Sequence, residues 1–192
     1  HCLNDTVRGA QKDLFTNTTG AQSTNTTGLT AFTSSGFSVG STTDVNGSTT
    51  NLASWTFRKQ PKFFDIVTWT GNGSPQTISH NLGSVPGAII VKAVSATSNW
   101  FGTFRVSNTH VAYGISLNQT AAANVASFPI SATSITSTSF SNYDVADSAG
   151  TAYPDQSGVT YVAYLFAHNA GGFGLTGTDN VISCGSYTGT GS

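Results

Sequence analysis

Hydrophobic and polar residues alternate with a period of two along much of this chain, which is the spacing of a β-strand with one buried face. In "LASWTFR" (52–58), Ala, Trp and Phe alternate with Ser, Thr and Arg. The segment "GVTYVAYLFAH" (158–168) is instead apolar on both faces. Because strands buried on both faces lie inside a packed structure, it is predicted to be a central strand of a two-layer sandwich.

Other segments have similar strand character, and Gly, Asn or Pro separates them. They are "FDIVTWTG" (64–71), "PQTISHNLG" (75–83), "AIIV" (88–91), "WFGTFRV" (100–106), "VAYGISL" (111–117) and "SITSTSFS" (134–141). Asn72-Gly73 is the signal of a type I′ hairpin turn. Only "NQTAAANVAS" (118–127) fits a short helix. Short strands with turns at this spacing predict an all-β fold, an antiparallel β-sandwich that is jelly-roll-like or immunoglobulin-like.

The chain also repeats itself, in four blocks that return in the same order. They are "DLFTNTTGAQ" (13–22) with "GISLNQTAAA" (114–123), "SSGFSVGSTTDV" (34–45) with "STSFSNYDVADS" (137–148), "LASWTFRKQPKFF" (52–64) with "YVAYLFAHNAGGF" (161–173), and "DIVTWTGNGS" (65–74) with "SCGSYTGTGS" (183–192). A weaker match pairs "DTVRG" (5–9) with "GTFRV" (102–106). Ordered self-similarity of this kind predicts tandem β-sandwich units of roughly 110 residues.

The phase of the repeat predicts the domain organisation. Residues 1–64 are the C-terminal part of one unit, 65–183 are one complete unit, and 184–192 are the first strand of the next unit. The first part lacks a counterpart of residues 65–100. We expect those strands to come from upstream sequence, from another chain, or from the C-terminal segment folding back.

Composition supports the all-β prediction and limits the classes of partner that we expect. Only 8% of residues are charged, and all of the acidic residues are Asp, so good helix formers are scarce while Thr, Val and aromatic residues are common. A net charge of −1 gives no reason to expect a nucleic-acid partner, because phosphate binding needs clustered basic residues. No apolar run reaches the roughly 20 residues of a membrane-spanning helix, so membrane insertion is not expected.

Candidate catalytic groups are few. The four histidines are His1, His80, His110 and His168. His80 lies in "TISHNLG", where its ring is expected to cap the turn or fill a gap between sheets. With no Glu, paired-carboxylate hydrolysis would require two Asp brought together. We therefore expect neither an enzyme nor a cofactor.

Two groups of residues could serve as structural sites. Asp144, Asp147 and Asp155 lie in "YDVADSAGTAYPDQSG" (143–158), which could hold a cation or be a solvated polar loop. Cys2 and Cys184 lie near opposite ends of the sequence. They could form a disulfide, or each could be a small buried hydrophobic side chain.

Aromatic residues outside a core could form a sugar-binding platform. The candidates are Trp69, Trp100, Tyr113, Tyr143, Tyr153 and Tyr187. Trp69 and Tyr187 are the more informative pair, because they occupy the same position of the repeat and both are aromatic. Trp100 is the third principal candidate. The alternative is that these side chains pack in the core.

Nearly the whole chain resembles an uncharacterised β-rich repeat of large structural proteins of marine tailed phages, including tail-fibre-like and other virion appendage proteins. The resemblance lies in "QTISHNLGSVPGAIIVK" (76–92) and in "YVAYLFAH" followed by "GFG" and "GSYTGTGS" (161–192). The stretch "SNWFGTFRVSNTHVAYGISL" (98–117) departs from the first copy. The resemblance implies an oligomeric virion protein located outside the cell; it supplies no catalytic residues.

The leading expectation is a non-enzymatic structural repeat of a phage virion appendage, fibre or capsid-decorating protein. Its partners would be other virion structural proteins, copies of itself, or a glycan of the host surface. Two alternatives are a carbohydrate-binding module and a secreted or cell-surface filament subunit. In the filament, an orphan strand such as residues 181–188 would complete the sandwich of a neighbour.

Overall fold

The computed structural model describes residues 1–105, 114–120, 130, 134–142 and 155–191. Regular structure in these ranges is almost entirely β, with a single turn of helix, α1 (Thr43–Asn46). The strands are β1 (Cys2–Asp5), β2 (Gly9–Phe15), β3 (Ser23–Thr24), β4 (Leu29–Phe32), β5 (Phe37–Val39), β6 (Phe64–Thr70), β7 (Thr77–Ser79), β8 (Pro86–Ala93), β9 (Phe101–Phe104), β10 (Gly114–Ser116), β11 (Ser139–Ser141) and β12 (Thr160–Ala167). The antiparallel sheets confirm the predicted all-β, sandwich-type fold.

The largest sheet has five strands in the order β10-β9-β8-β12-β6. Each neighbouring pair is antiparallel. Strand β12 has partners on both sides, so that Tyr161 lies opposite Trp69 of β6 and opposite Ala93 of β8. The prediction of a central strand at this position is therefore confirmed, because an apolar run on both faces suits a strand that is covered on both faces.

Both faces of this central sheet are covered. On one face Ile78 of β7 and Phe140 of β11 pack against Trp69 and Ile89 in a buried cluster. On the other face Leu14 of β2 joins a second cluster with residues of β6 and β12, including Ile66, Val162 and Tyr164. The hairpin of β1 and β2 thus packs on the sheet formed by the later part of the chain. The division of the chain into repeat units remains a prediction.

Two hairpins have the same construction. In the first, Cys2 pairs with Phe15 and Leu3 with Leu14; in the second, Phe101 pairs with Ser116 and Gly102 with Ile115. A backbone hydrogen bond closes each one just beyond the strands, from the Thr16 N–H to the His1 carbonyl (3.2 Å) and from the Leu117 N–H to the Trp100 carbonyl (2.8 Å). The second strands follow the sequence repeat, in which Phe15 corresponds to Ser116, whereas the first strands are shifted by two residues from the weaker match of 5–9 with 102–106.

The prediction of a strand at residues 52–58 is wrong. Residues 51–60 are all exposed, and none belongs to a strand. The repeat counterpart, β12, lies between β8 and β6. Residues 52–58 have the alternating pattern of a strand but no strand beside them, and an isolated strand in water is not stable.

Two local predictions also differ from the structure. Asn72-Gly73 does not form a type I′ turn, which needs positive φ at both residues, because only Gly73 has positive φ (78°). The Asn72 side chain instead accepts a hydrogen bond from the Ser74 N–H (2.9 Å), and β6 pairs with β12 and not with β7. Most of the helix predicted at 118–127 lies outside the described residues, whereas α1 was not predicted.

Leu165 lies in the middle of β12 and is completely buried, whereas Leu175 is fully exposed. We expect Leu165→Ala to lower the free energy of unfolding by about 2–5 kcal/mol, because it removes buried methyl groups and leaves a cavity. Leu175→Ala, the matched control, should change it by less than about 0.5 kcal/mol. Urea denaturation measures both. Similar losses for the two variants would contradict the central position of β12.

Candidate functional site

Two apolar segments of the chain lie on the surface without belonging to a strand. The first, called here the acceptor segment, is residues 52–58, where Trp55 is 87% exposed. The second, called the tail segment, is residues 181–188, where Tyr187 is 95% exposed. Because exposed large apolar side chains grouped in this way mark interaction sites on soluble proteins, these segments are the candidate functional site.

The acceptor segment is held at its C-terminal end by a lysine. The Lys59 Nζ lies 2.8 Å from Asp65 Oδ1 and donates to the Ile66 carbonyl (3.2 Å). Burial raises the pKa of the Asp65 carboxyl, but Lys59 and the backbone N–H groups of Asn81 and Ile66 more than offset this, so its pKa lies below the usual range. The charged carboxylate therefore fixes the point where the exposed segment meets β6.

The acceptor segment touches the central sheet mainly through Phe57. The Phe57 ring lies 6.0 Å from the ring of Phe63, 5.8 Å from that of Phe64 and 5.9 Å from that of Phe166, measured between centroids. Strand β6, which begins at Phe64, is the outer strand of the sheet on this side. Phe57 thus packs on side chains of both β6 and β12, and the residues before it are exposed.

The tail segment is held by the two residues that follow β12. The Ile182 carbonyl accepts a hydrogen bond from the Asn169 N–H (3.0 Å), and the Cys184 N–H donates to His168 Nδ1 (2.9 Å). Residues 182–186 line an apolar groove with side chains of β8, β9, β10 and β12, which are Ala88, Ile90, Phe104, Ile115 and Phe166. Ile182 and Cys184 are half-buried, whereas the residues after Cys184 are exposed.

Two of the three principal aromatic candidates are in the core and cannot form a sugar platform. Trp69 is 9% exposed and stacks on Tyr161, with centroids 5.4 Å apart. Trp100 is 2% exposed, and its Nε1–H donates to the carbonyls of Phe15 (3.1 Å) and Thr18 (3.2 Å). The prediction of ligand binding at Trp69 and Trp100 is therefore wrong. Tyr187 is on the surface. Tyr113, Tyr143 and Tyr153 lie outside the described residues.

The cation site predicted at Asp144, Asp147 and Asp155 stays a prediction, because Asp144 and Asp147 lie outside the described residues. Asp155 is buried, at 3% exposure, and its carbonyl accepts a hydrogen bond from the Gly73 N–H (2.7 Å). Within the described ranges, no group of three or more His, Cys or Asp side chains is placed to hold a metal ion.

Of the two alternatives for Cys2 and Cys184, the disulfide is absent, since both residues are free cysteines. The Cys2 thiol donates to Asn4 Oδ1 (3.2 Å), while Cys184 packs on β8, where a Cβ added to Gly87 would lie 2.8 Å from its Sγ. Burial raises the pKa of Cys2 to about 12, and burial also raises the pKa of Cys184. Neither thiol is activated as a nucleophile, because a nucleophilic thiol requires a lowered pKa.

His80 has the structural role that its sequence context suggests. It is 4% exposed, its Nδ1 accepts a hydrogen bond from the Leu82 N–H (3.3 Å), and its ring stacks on Phe140. Burial lowers its pKa, with Asp65 opposing this effect. The ring thus caps the turn after β7 and fills space against β11.

A buried polar network joins the first hairpin to the central sheet, and sequence analysis missed it. Asp5 Oδ2 accepts a hydrogen bond from the Tyr164 hydroxyl (2.8 Å) and forms an ion pair with Arg8. The Arg8 guanidinium also donates to the Leu3 and Lys12 carbonyls and to the Gln22 side chain. The spacing of Asp5 and Arg8, three residues apart beside Gly9, was the sequence signal for an ion pair at a turn. The sequence does not show that Tyr164 of β12 packs against this pair and buries it.

Lys92 on β8 is also buried, with 0% exposure. Its Nζ donates to the carbonyls of Thr19 (3.1 Å) and Ala93 (3.1 Å) and to Ser98 Oγ (3.3 Å). Burial lowers its pKa to about 8. The bond to Thr19 fastens the loop after β2 to the sheet, so Lys92 and the Asp5 network have structural roles.

No helix within the described ranges is long and apolar enough to cross a membrane. A family model described as a domain of unknown function (DUF7483) matches residues 1–192, so the chain belongs to that family. Comparison with curated proteins and with solved structures finds no match.

The lowered pKa of Lys92 predicts a rise of stability with pH. Between pH 8 and the ordinary value of 10.5, the unfolded chain binds more protons at this lysine than the folded chain does. The free energy of unfolding should therefore rise, by up to about 1 kcal/mol per pH unit. Chemical denaturation between pH 7.5 and 9.5 should show the native chain gaining stability relative to Lys92→Met, because the raised pKa values of the two thiols act equally on both proteins. A difference between the two proteins that stays constant with pH would contradict the prediction.

Proposed function

We propose that this member of the DUF7483 family is a non-enzymatic structural module of a phage virion appendage, fibre or capsid-decorating protein. In this proposal, copies of the module bind one another or other virion structural proteins, and contact with the host surface is a further role. The observation that carries the proposal is the exposure of the acceptor and tail segments. Their apolar side chains are suited to a protein partner and not to solvent.

The remaining polar chemistry of the described residues supports a structural role. His80 is used in a turn, Lys92 and Asp5 are used in packing, and both thiols have raised pKa values. An enzyme would need a nucleophile and a base that substrate can reach, with pKa values suited to their tasks. We therefore propose a module without catalytic activity or cofactor.

The phage assignment rests on the resemblance to repeats of phage appendage proteins. It is consistent with a chain in which only 8% of residues are charged. A fold held mainly by apolar burial and backbone pairing depends little on ionic strength, because salt screens charge interactions and not burial. Such a module suits a location on the outside of a virion.

A carbohydrate-binding module is the second candidate. The observation that favours it is the exposure of two aromatic side chains, Trp55 and Tyr187. These residues belong to two separate segments that form no strand, whereas sugar platforms need aromatic rings held rigidly together. Structural assembly is therefore the better-supported function.

Self-association tests the structural proposal directly. We expect the chain to associate as its concentration is raised in sedimentation velocity experiments, because assembly would cover the exposed apolar segments. Trp55→Asp should weaken association at least tenfold, since it places a charge in the acceptor segment, whereas Leu175→Asp should leave association unchanged. A chain that stays monomeric at all concentrations would contradict assembly through these segments.

The virion assignment needs a separate measurement. An antibody against this chain should label an appendage or the capsid surface of phage particles that encode it, in immunogold electron microscopy. Absence of the chain from purified particles would contradict the assignment. A rise in thermal stability on adding a glycan, abolished by Tyr187→Ala, would instead support the carbohydrate-binding module.

A further inference from the structure

Strands β6 and β12 pair with each other in one antiparallel register. Phe64 lies opposite Phe166, Ile66 opposite Tyr164 and Trp69 opposite Tyr161. Side chains on both faces reinforce this register: Phe64 and Phe166 have ring centroids 4.9 Å apart on one face, and Trp69 and Tyr161 have centroids 5.4 Å apart on the other.

The sequence repeat supplies a second copy of each of these strands. Residues 52–57 of the acceptor segment correspond to 161–166 of β12, and residues 182–187 of the tail segment correspond to 64–69 of β6. Apolar residues are kept at the paired positions: Phe57 corresponds to Phe166 and Ile182 to Phe64. Tyr187 likewise corresponds to Trp69.

Neither of these two segments forms a strand, although their counterparts are β12 and β6. No backbone hydrogen bond links residues 52–58 to the rest of the described chain. The tail segment is held at Ile182 and Cys184 by residues 168–169, Ser186 also has a contact of its own, and the residues after Cys184 are exposed. The chain thus contains a β6-like sequence and a β12-like sequence that do not form the β6–β12 strand pairing of their counterparts.

We propose that residues 182–187 of one copy of this chain pair as an antiparallel strand with residues 52–57 of a second copy, in the register of β6 on β12. Transfer of that register places Ile182 opposite Phe57, Cys184 opposite Trp55, and Tyr187 opposite Leu52. This inference rests on the proposed assembly function and names the surfaces and the alignment through which assembly occurs. Backbone hydrogen bonds supply affinity in such strand addition, and side-chain pairs supply specificity.

In the proposed strand pair, the side chains would face the same two sides as their counterparts do in the central sheet. Trp55 and Phe57 would share a face with Ile182 and Cys184, as Tyr164 and Phe166 share one with Phe64 and Ile66. Leu52 and Tyr187 would lie on the opposite face. Neither stretch contains a charged residue, so pairing requires no desolvation of charge.

Both segments are held in place within one chain, and they are not paired with each other there. Phe57 packs on Phe63, Phe64 and Phe166, and the tail segment lines a groove that also includes Phe166. The backbone of Ile182 and Cys184 is bonded to residues 168–169, and no backbone hydrogen bond within the described residues joins it to residues 52–58. Because the two segments do not pair within the chain, we assign the pairing to a second copy. Because each copy offers one segment of each kind, pairing between copies either closes a dimer or extends an array.

Disulfide trapping tests the register, because the native Cys184 is one of the predicted partners. The variant Trp55→Cys, made with Cys2→Ser, should form a disulfide with Cys184 of another copy under mild oxidation. Directly opposite residues of antiparallel strands have Cβ atoms about 4.5–5.5 Å apart, close to the geometry that a disulfide needs. The control is Thr56→Cys with Cys2→Ser, in which the neighbouring side chain, also exposed, would face away from Cys184 in the proposed register.

We expect at least tenfold more covalent dimer or higher multimer from Trp55→Cys than from Thr56→Cys on non-reducing gels. Mass spectrometry should identify the peptide that links residues 55 and 184. A second pair, Leu52→Cys with Tyr187→Cys in a chain lacking both native cysteines, should trap the same register on the other face. All four positions lie outside the buried clusters, so the variants are expected to fold, and circular dichroism checks this.

The outcomes separate this inference from the proposed function. Self-association in sedimentation experiments without trapping at either pair, or with equal trapping of the Thr56→Cys control, would overturn the register while leaving the assembly function standing. Disulfides formed only within single chains would overturn pairing with a second copy. Absence of both self-association and trapping would overturn the inference and the assembly function together.

Discussion

The fold depends on the requirement that β12 have a hydrogen-bonding neighbour on each edge. Its side chains are apolar on both faces and its backbone lies in the middle of the sheet, so neither its amide groups nor its carbonyl groups can be left to water. Strand β8 satisfies one edge and β6 the other. The clusters on both faces, including the contact of the first hairpin with Tyr164, are built on the sheet that these three strands form.

The same requirement explains which strands could be predicted from the sequence. Local patterns identified β6, β8 and β12, because their long apolar runs are recognisable without knowledge of their partners. Residues 52–58 have a clear alternating pattern but form no strand, because a strand also needs a neighbouring strand to pair with. A period of two indicates that a segment can bury one face, but it does not indicate that a neighbouring strand is present.

The candidate site was only partly predictable for a related reason. The repeat identified Trp69 and Tyr187 as equivalent, yet one is stacked in the core and the other is 95% exposed. Trp100 could not be recognised as buried, because its indole N–H donates to carbonyls of Phe15 and Thr18, which are distant in sequence. In each case the deciding contact is with a remote part of the chain. The tail segment could be singled out from the sequence because the repeat itself is a long-range pattern.

The acceptor and tail segments also make the molecule directional, because each copy carries one of each kind and the two are chemically unlike ends of the same pairing. The acceptor segment leads into the Lys59–Asp65 ion pair, whereas the tail segment leads from uncharged groove residues to the exposed Tyr187. An array joined through these ends would have a head and a tail. A protein that covered only one kind of end would stop growth there and leave the other end extending, so the length of such an array could be set from a single terminus.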